Sequence, residues 1–460
     1  MISRAKRWRT AVANDPDGPS NRGACLLAAP FAHNDGFAAP ALFRCIHVSS
    51  PSSPFPPSLD APAAGAPVSA RMTGTERRAS ASLAAIYALR MLGLFLVLPV
   101  FVLEAHNYPG GDNPALVGLA MGVYGLTQAM FQIPLGLASD RWGRKPVILA
   151  GLAMFAVGSM VAAFAPSLAW LVVGRALQGS GAISAAVTAL LADLTRDQVR
   201  TKSMALIGIT IALMFALSLV MAPALVPHIG LAGLFWLTCA LALVGMAVVV
   251  WVVPPEPVQH VVTGRGGLRE VLRHAELLRV DLGVFVLHAV QIAMWMAVPA
   301  LLREAGVATA QQWHVYLPAV LGSLLVMGGF LFRLERQGYF RAVYLGTVAL
   351  IGLVELGFAA SLKAPNVWVV GLLLGLYFLG FNTQEASQPS LVSRLAESRQ
   401  RGAALGVYNT LMSLGIFAGG ILGGLVLKAW GSQGIFGVSA AAMAFWLLLA
   451  WPMRGSPSKQ

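Results

Sequence analysis

The stretch Gly136-Leu137-Ala138-Ser139-Asp140-Arg141-Trp142-Gly143-Arg144-Lys145-Pro146 places one carboxylate and three cations, Asp140, Arg141, Arg144 and Lys145, within six residues. Guanidinium–carboxylate bonds are the strong, charge-assisted kind, and a set with more cations than anions can exchange partners. Gly136 and Gly143 bracket the set and let backbones approach closely. Such a loop suits a contact that is made and released. Five further ionisable residues, Arg90, Arg175, His288, Glu355 and Glu385, lie inside long apolar runs. Charged groups are costly there and mark ion pathways, proton relays or buried pairs.

The surrounding chain is a lipid-embedded one by composition. Of 460 residues 57% are hydrophobic and 11% charged, with a mean hydropathy of +0.71, whereas soluble proteins carry about 25% charged residues. That excludes an ordinary soluble enzyme, a disordered chain and a nucleic-acid-binding domain. Cys25, Cys45 and Cys239 form no paired spacing, so neither a disulfide scaffold nor a zinc site is expected. With no P-loop, nucleophile elbow or cluster of metal ligands, neither a cofactor, a metal nor an enzymatic reaction is expected.

Apolar runs of the roughly 20 residues that a bilayer core demands are expected near 83–104, 114–138, 145–165, 168–191, 202–226, 231–253, 281–302, 313–333, 341–362, 366–389, 402–426 and 433–452. The fold class is therefore an all-α polytopic membrane protein of about twelve transmembrane helices. Residues 1–71, rich in Pro, Ser and Ala, read as a disordered extension or a mis-assigned start, with translation expected at Met72. A bundle over 72–253, a linker over 254–280 carrying Arg265, Arg269, Arg273 and Arg279, a bundle over 281–452 and a short tail over 453–460 complete the plan.

Lysines and arginines concentrate in alternate breaks, among them Arg77, Arg78, Arg141, Arg144, Lys145, Arg196, Arg200, Arg333, Arg341, Arg394 and Arg401, while the opposite side holds Arg303, Lys363 and Lys428. The positive-inside rule then puts both termini in the cytoplasm and accounts for the net charge of +13 without a nucleic-acid partner. An offset of 201 residues carries Gly174 onto Gly375, Gly179 onto Gly380, Arg200 onto Arg401, Gly230 onto Gly431 and Phe235 onto Phe436. Held across several spans, this offset implies two six-helix halves related by duplication.

The Gly136–Lys145 stretch resembles the G-x-x-x-D-R-x-G-R-K signature of the major facilitator superfamily, in the loop between spans 2 and 3 where that family carries it. Arg175-Ala176-Leu177-Gln178-Gly179-Ser180-Gly181-Ala182 in span 4 resembles the motif R-x-x-Q-G-x-G-A of proton-coupled members. Arg90 through Val100 in span 1 and Tyr124 through Ala129 in span 2 resemble the bacterial YajR-type drug/proton antiporters, although span 5 reads Met221-Ala222-Pro223-Ala224 where antiporters carry a G-P pair. The resemblance implies a conformational latch of Gly136, Asp140, Arg141, Gly143, Arg144, Lys145 and Asp193. In it Asp140 would meet the start of span 11 near Arg401 to Gly406, and Arg144 would meet Asp193. The equivalent stretch in the second half, from Gly329 to Gly338, is degenerate.

For proton coupling the candidates are Arg90, Arg175, Glu385, Glu355 and His288. Alternatives stay open: Arg175 could snorkel to an interface, Glu385 could be a structural ion-pair partner and Glu355 a hydrogen-bonding group. In span 10, Phe378, Asn382, Glu385 and Pro389 share one face at helical spacing. Substrate-cavity candidates are Tyr124, Gln128, Gln132, Gln178, Gln291, Trp295, Asn382, Tyr408 and Asn409, scattered neutral polar groups suited to a lipophilic or amphipathic small molecule. The expectation is proton-coupled efflux through the inner membrane by a monomer that meets substrate, protons and lipid. A sugar or metabolite transporter and a transport-inactive sensor are the alternatives.

Overall fold

The computed structural model describes residues 72–256, 268–397 and 400–453. The expected extension over 1–71 and the tail from 454 lie outside them, as does Arg265 of the linker.

The first half runs α1 (Gly74–Phe95), α2 (Phe101–Ala105), α3 (Pro114–Trp142), α4 (Arg144–Ala163), α5 (Leu168–Ser180), α6 (Ser184–Asp193) and α7 (Asp197–Trp251). A capping box starts α1: the Glu76 N–H donates to Thr73 Oγ1 and the Thr73 N–H to the Glu76 carboxylate. Asn113 caps α3, whose first residue is Pro114, the position where a missing N–H costs nothing. Two expected spans are broken. The first is interrupted by a turn over Leu96 to Val100, ahead of α2, and the fourth by Gly181-Ala182-Ile183 between α5 and α6. At the second break the Gly181 backbone is wedged against Gly151 so closely that a Cβ would lie 2.2 Å from its carbonyl oxygen.

A short α8 (Leu268–Val271) precedes the second half: α9 (Ala275–Glu304), α10 (Trp313–Val326), α11 (Phe332–Leu334), α12 (Phe340–Ser361), α13 (Val367–Leu395) and α14 (Arg401–Ala450). The helix expected from 281 begins at Ala275, because the His274 ring accepts the Leu277 N–H and supplies a cap upstream. Asn366 caps α13 in the same way.

Eight helices among the described residues are long and apolar enough to cross a membrane. Two of them, α7 and α14, are each a pair of spans joined at a glycine: Gly230 has φ 63° and Gly431 φ 62°, both with extended ψ. That conformation is open to glycine and strained for other residues. The α1–α2 pair and the α5–α6 pair supply the remaining crossings, so the chain forms two six-helix bundles.

The halves meet along glycine faces. A Cβ on Gly118 of α3 would sit 2.1 Å from the Gly420 carbonyl oxygen of α14, and one on Gly424 would sit 2.5 Å from the Pro114 carbonyl oxygen. Within the second half, Gly415 and Gly419 of α14 press equally on Phe285 and Ala289 of α9. Small residues let membrane helices approach to backbone contact, which is how such helices gain packing energy without a hydrophobic drive. Beside this seam an edge-to-face aromatic column links Phe95, Phe215, Trp295, Phe378 and Tyr316 from five helices. Pro114 and Gly431 mark the end of the bundle remote from the basic loops, so the halves are sealed at that end.

Candidate functional site

At the basic end, α3 stops at Gly143, whose φ of 94° turns the chain directly into α4. The turn brings the Arg144 side chain back over α3. There it donates to Ser139 Oγ at 2.7 Å, pairs with Asp140, and reaches Asp193 Oδ2 at the end of α6 at 3.3 Å. Lys145 Nζ donates to the Val253 carbonyl at 2.8 Å, Arg141 stays exposed on the last turn of α3, and Gly136 packs near Ala185.

The resemblance implies contact between Asp140 and the start of α14 in the outward-open state; in the present conformation that contact is not made. Its carboxylate is bound to Arg144, the Arg401 guanidinium donates to the Ser393 carbonyl, and the backbone at Gly402 and Gly406 has open space beside it. The cause lies at the far end, where the glycine seam holds the halves together and leaves the basic end apart. Glu256 was not anticipated. Its carboxylate accepts the backbone N–H of Arg144, at 3.0 Å, and of Lys145, capping α4 beside Gly143. Its place after Pro254-Pro255, where span 6 must end, was the available sequence signal.

A second basic-end clamp joins α1 to the loop before α7. Arg196 donates to Glu76 from Nε at 2.7 Å, from Nη2 at 3.0 Å and from its backbone N–H at 3.1 Å. The Arg196 guanidinium holds the Glu76 carboxyl well below the usual carboxylate range.

Inside the first half, Arg90, Tyr124, Gln128, Arg175 and Gln178 form one network. Arg90 donates to Tyr124 Oη at 2.7 Å and to Gln128 Oε1 at 3.4 Å, and Gln128 passes the connection to Ser413 of α14 at 3.1 Å. Arg175 donates to Gln178 Oε1 at 2.9 Å, and Gln178 donates to Ser159 Oγ. The Tyr124 ring lies within cation–π range of both guanidiniums, at 6.0 Å from Arg90 and 5.2 Å from Arg175. Each arginine is 1% exposed, so Arg175 does not snorkel; its head is held by Gln178 and the Ala120 carbonyl. Nε and Nη1 of Arg90 have no hydrogen-bond partner among the described residues.

The second half places the pair His288 and Glu385 together, on α9 and α13. His288 Nδ1 lies 3.0 Å from the Val284 carbonyl, an acceptor only, so Nδ1 carries a proton. Nε2 then faces Glu385 Oε1 at 3.3 Å. Glu385 is about one-third exposed, Asn382 one turn away donates to Ser323 Oγ, and Tyr408 lies in electrostatic reach of Glu385. Glu355 is elsewhere, fully buried between α12 and α13 near Tyr377. Asp281, buried on α9 with neither oxygen hydrogen-bonded among the described residues, was missed because it stood at the expected helix boundary.

Of the expected cavity residues, Trp295 belongs to the aromatic column and Gln178 to the arginine network. Gln132 and Gln291 are buried on α3 and α9, and Asn409 is half-buried on α14. The structure therefore places Tyr124, Gln128 and Gln178 in the first-half network, Asn382 and Tyr408 near Glu385, and Trp295 in the aromatic column.

The model of the Major Facilitator Superfamily matches residues 83–393. The inner membrane transport protein YajR of Escherichia coli (strain K12) is 41% identical over 392 residues, 84% of this chain and 86% of that protein. The multidrug resistance protein MdtH of Aeromonas salmonicida (strain A449) is 27% identical over 357 residues, 75% of this chain and 86% of that protein. The human organic anion transporter MFSD10 has the same fold, with a TM-score of 0.63 at 19% identity over 82% of this chain and all of that one. The nucleoside transporter NupG aligns with a TM-score of 0.65 at 14% identity over 81% and 98%.

Proposed function

The chain belongs to the Major Facilitator Superfamily, and from that premise we propose that this transporter expels a small lipophilic or amphipathic compound from the cell in exchange for protons. The family and the fold are those of transporters, not enzymes. The observation that carries the coupled reading is the His288–Glu385 pair: a carboxylate and an imidazole 3.3 Å apart on two different helices of the bundle, with Glu385 partly open. Rocking of the two halves changes what surrounds Glu385, and a proton held between the two residues is lost or gained as its surroundings change.

In this reading the protein works as a monomer in the inner membrane, both termini face the cytoplasm, and the sealed glycine seam marks a state open to the cytoplasm. On rocking, the basic end closes, Asp140 exchanges its bond to Arg144 for contact with the start of α14, and Arg144 remains on Asp193. Arg141 and Lys145 keep the loop cationic, with Gly136 and Gly143 allowing the approach. The test is proton release from proteoliposomes across an imposed pH gradient as lipophilic cations and then sugars are added. Proton flux dependent on the lipophilic cation, reduced at least tenfold in Glu385→Gln and in Asp140→Asn of normal thermal stability, is the expected result. Solute movement with no proton flux rejects the coupling.

A second reading rests on Arg90, whose unpartnered Nε and Nη1 suit a solute carrying one anionic group. Competition by amphipathic anions but not by cations of equal size would favour it.

A further inference from the structure

The basic end of the second half carries a crevice that transport by the central site does not use. Beyond Val326, α10 gives way to π-helical turns over Met327–Leu331 and Glu335–Tyr339, and Gly338 turns the chain with φ 94°. The wider turns rotate the chain out of register with its neighbours, and Gly328 and Gly329 have nothing packed beside them. A cavity of about 440 Å³ is left between this segment, α12 and α13. Leu334, Tyr339, Val343, Gly346, Leu350 and Leu379 line it. On α12, Val343, Gly346 and Leu350 fall at i, i+3 and i+7 on one face, with Thr347 beside them, and Tyr339 precedes them at the end of the π-helical turn.

Its dimensions and rim identify the occupant. From Tyr339 to Leu350 the face spans about 16 Å at 1.5 Å per residue, about half of a hydrocarbon core of roughly 30 Å, which is the depth of one leaflet. Exposed Tyr339 stands at the mouth, where an amphipathic ring favours the interface. Beside the mouth are Arg333, exposed on α11, and Arg394 at the end of α13, whose guanidinium lies 5.6 Å over the Phe340 ring and donates to Ser390. Arg341 is engaged elsewhere, donating to the Trp451 carbonyl at 2.7 Å. An apolar groove one leaflet deep, with two cations at its interfacial end, matches an acyl chain joined to an anionic headgroup. We infer that the crevice between α10–α11, α12 and α13 is a binding site for an anionic phospholipid of the adjoining leaflet, its acyl chain along Val343, Gly346 and Leu350 and its phosphate at Arg333 and Arg394.

The experiment uses the full chain in phosphatidylcholine liposomes containing phosphatidylglycerol with a photoreactive acyl chain, and maps labelled peptides by mass spectrometry. Labelling is expected within 334–350 and around Leu379. Excess unlabelled phosphatidylglycerol should lower it at least fivefold and the same excess of phosphatidylcholine less than twofold. Gly346→Leu should lower it at least fivefold, because a Cβ at Gly346 meets nothing within 4 Å and the side chain enters the crevice without disturbing the helix. Arg333→Ala with Arg394→Ala should erase the preference for phosphatidylglycerol, which tests the site independently of whether the Gly346 variant folds. Equal competition by phosphatidylcholine, wild-type labelling of a folded Gly346→Leu protein, or displacement of the label by a lipophilic cation would each overturn the inference. The last result would make the crevice a route for solute.

Discussion

The interiors of the two halves hold ionisable side chains of opposite kind on the same skeleton. The first half buries Arg90 and Arg175 among Tyr124, Phe155, two amides and a backbone carbonyl, and among the described residues no carboxylate is hydrogen-bonded to either. The second half buries Asp281 and Glu355 and sets Glu385 against His288. Yet Gly230 and Gly431 make the same turn between consecutive spans, with φ values one degree apart. Both turns require a residue without a Cβ strain penalty, so glycine stands at each, whereas the side chains facing the two interiors differ. In the proposed exchange, solute and proton would be handled by different halves and coupled only through the rocking between them.

The largest expected effect separates these duties. In the reading where Arg90 meets an anionic group of the solute, Arg90→Gln removes the buried cation that also bridges Tyr124 and Gln128, and should weaken binding of such a solute about tenfold or more, the scale of one charge-assisted hydrogen bond. Protons moved per solute should stay unchanged. Isotherms and flux ratios on the same proteoliposomes check this, and an altered proton ratio with intact affinity would break the division of labour.

A smaller effect concerns the ionic clamp at the basic end of the first half. Because Glu76 is held below its ordinary value of 4.5 by Arg196, the folded protein binds this proton less readily than the unfolded chain. The clamp therefore stabilises fully above about pH 4.5 and is lost as the pH falls toward the depressed value. Glu76→Gln should lower the unfolding midpoint by a few degrees at pH 7, and the gap from wild type should close below pH 4.5. A gap that persists at low pH would assign the effect to lost packing.

The smallest effect tests whether the skeletons are equivalent. Nothing lies within 4 Å of a Cβ at Gly230 or Gly431, so alanine at either site meets only the backbone penalty of positive φ with extended ψ, about 1–3 kcal/mol. The two substitutions should shift the unfolding midpoint equally. A much larger loss at one would show that the turns carry unequal strain.

Spans, repeat and ionic loop were legible because each depends on local pattern: apolar length for the spans, a constant offset for Gly230 and Gly431, and residue type for Asp140 and Arg144. Glu256, Ser413 and Asp281 were not, since each acquires its role from a partner or an environment distant in sequence. Gln178 and Trp295 look like cavity residues on helical spacing alone, and only the neighbouring helices assign them to a hydrogen-bond network and an aromatic seam.

By itself the sequence determined that this chain lives in a bilayer, that its spans number about twelve, and where its interior ionisable groups stand, since hydrophobic length and the cost of burying charge act residue by residue. The tertiary structure alone decided which end of the bundle is sealed, that Asp140 sits on Arg144 and not on α14, and that His288 and Glu385 meet. The first two depend on how closely Gly118 and Gly420 let two distant helices approach, the third on how α9 packs against α13, distances that no local pattern encodes.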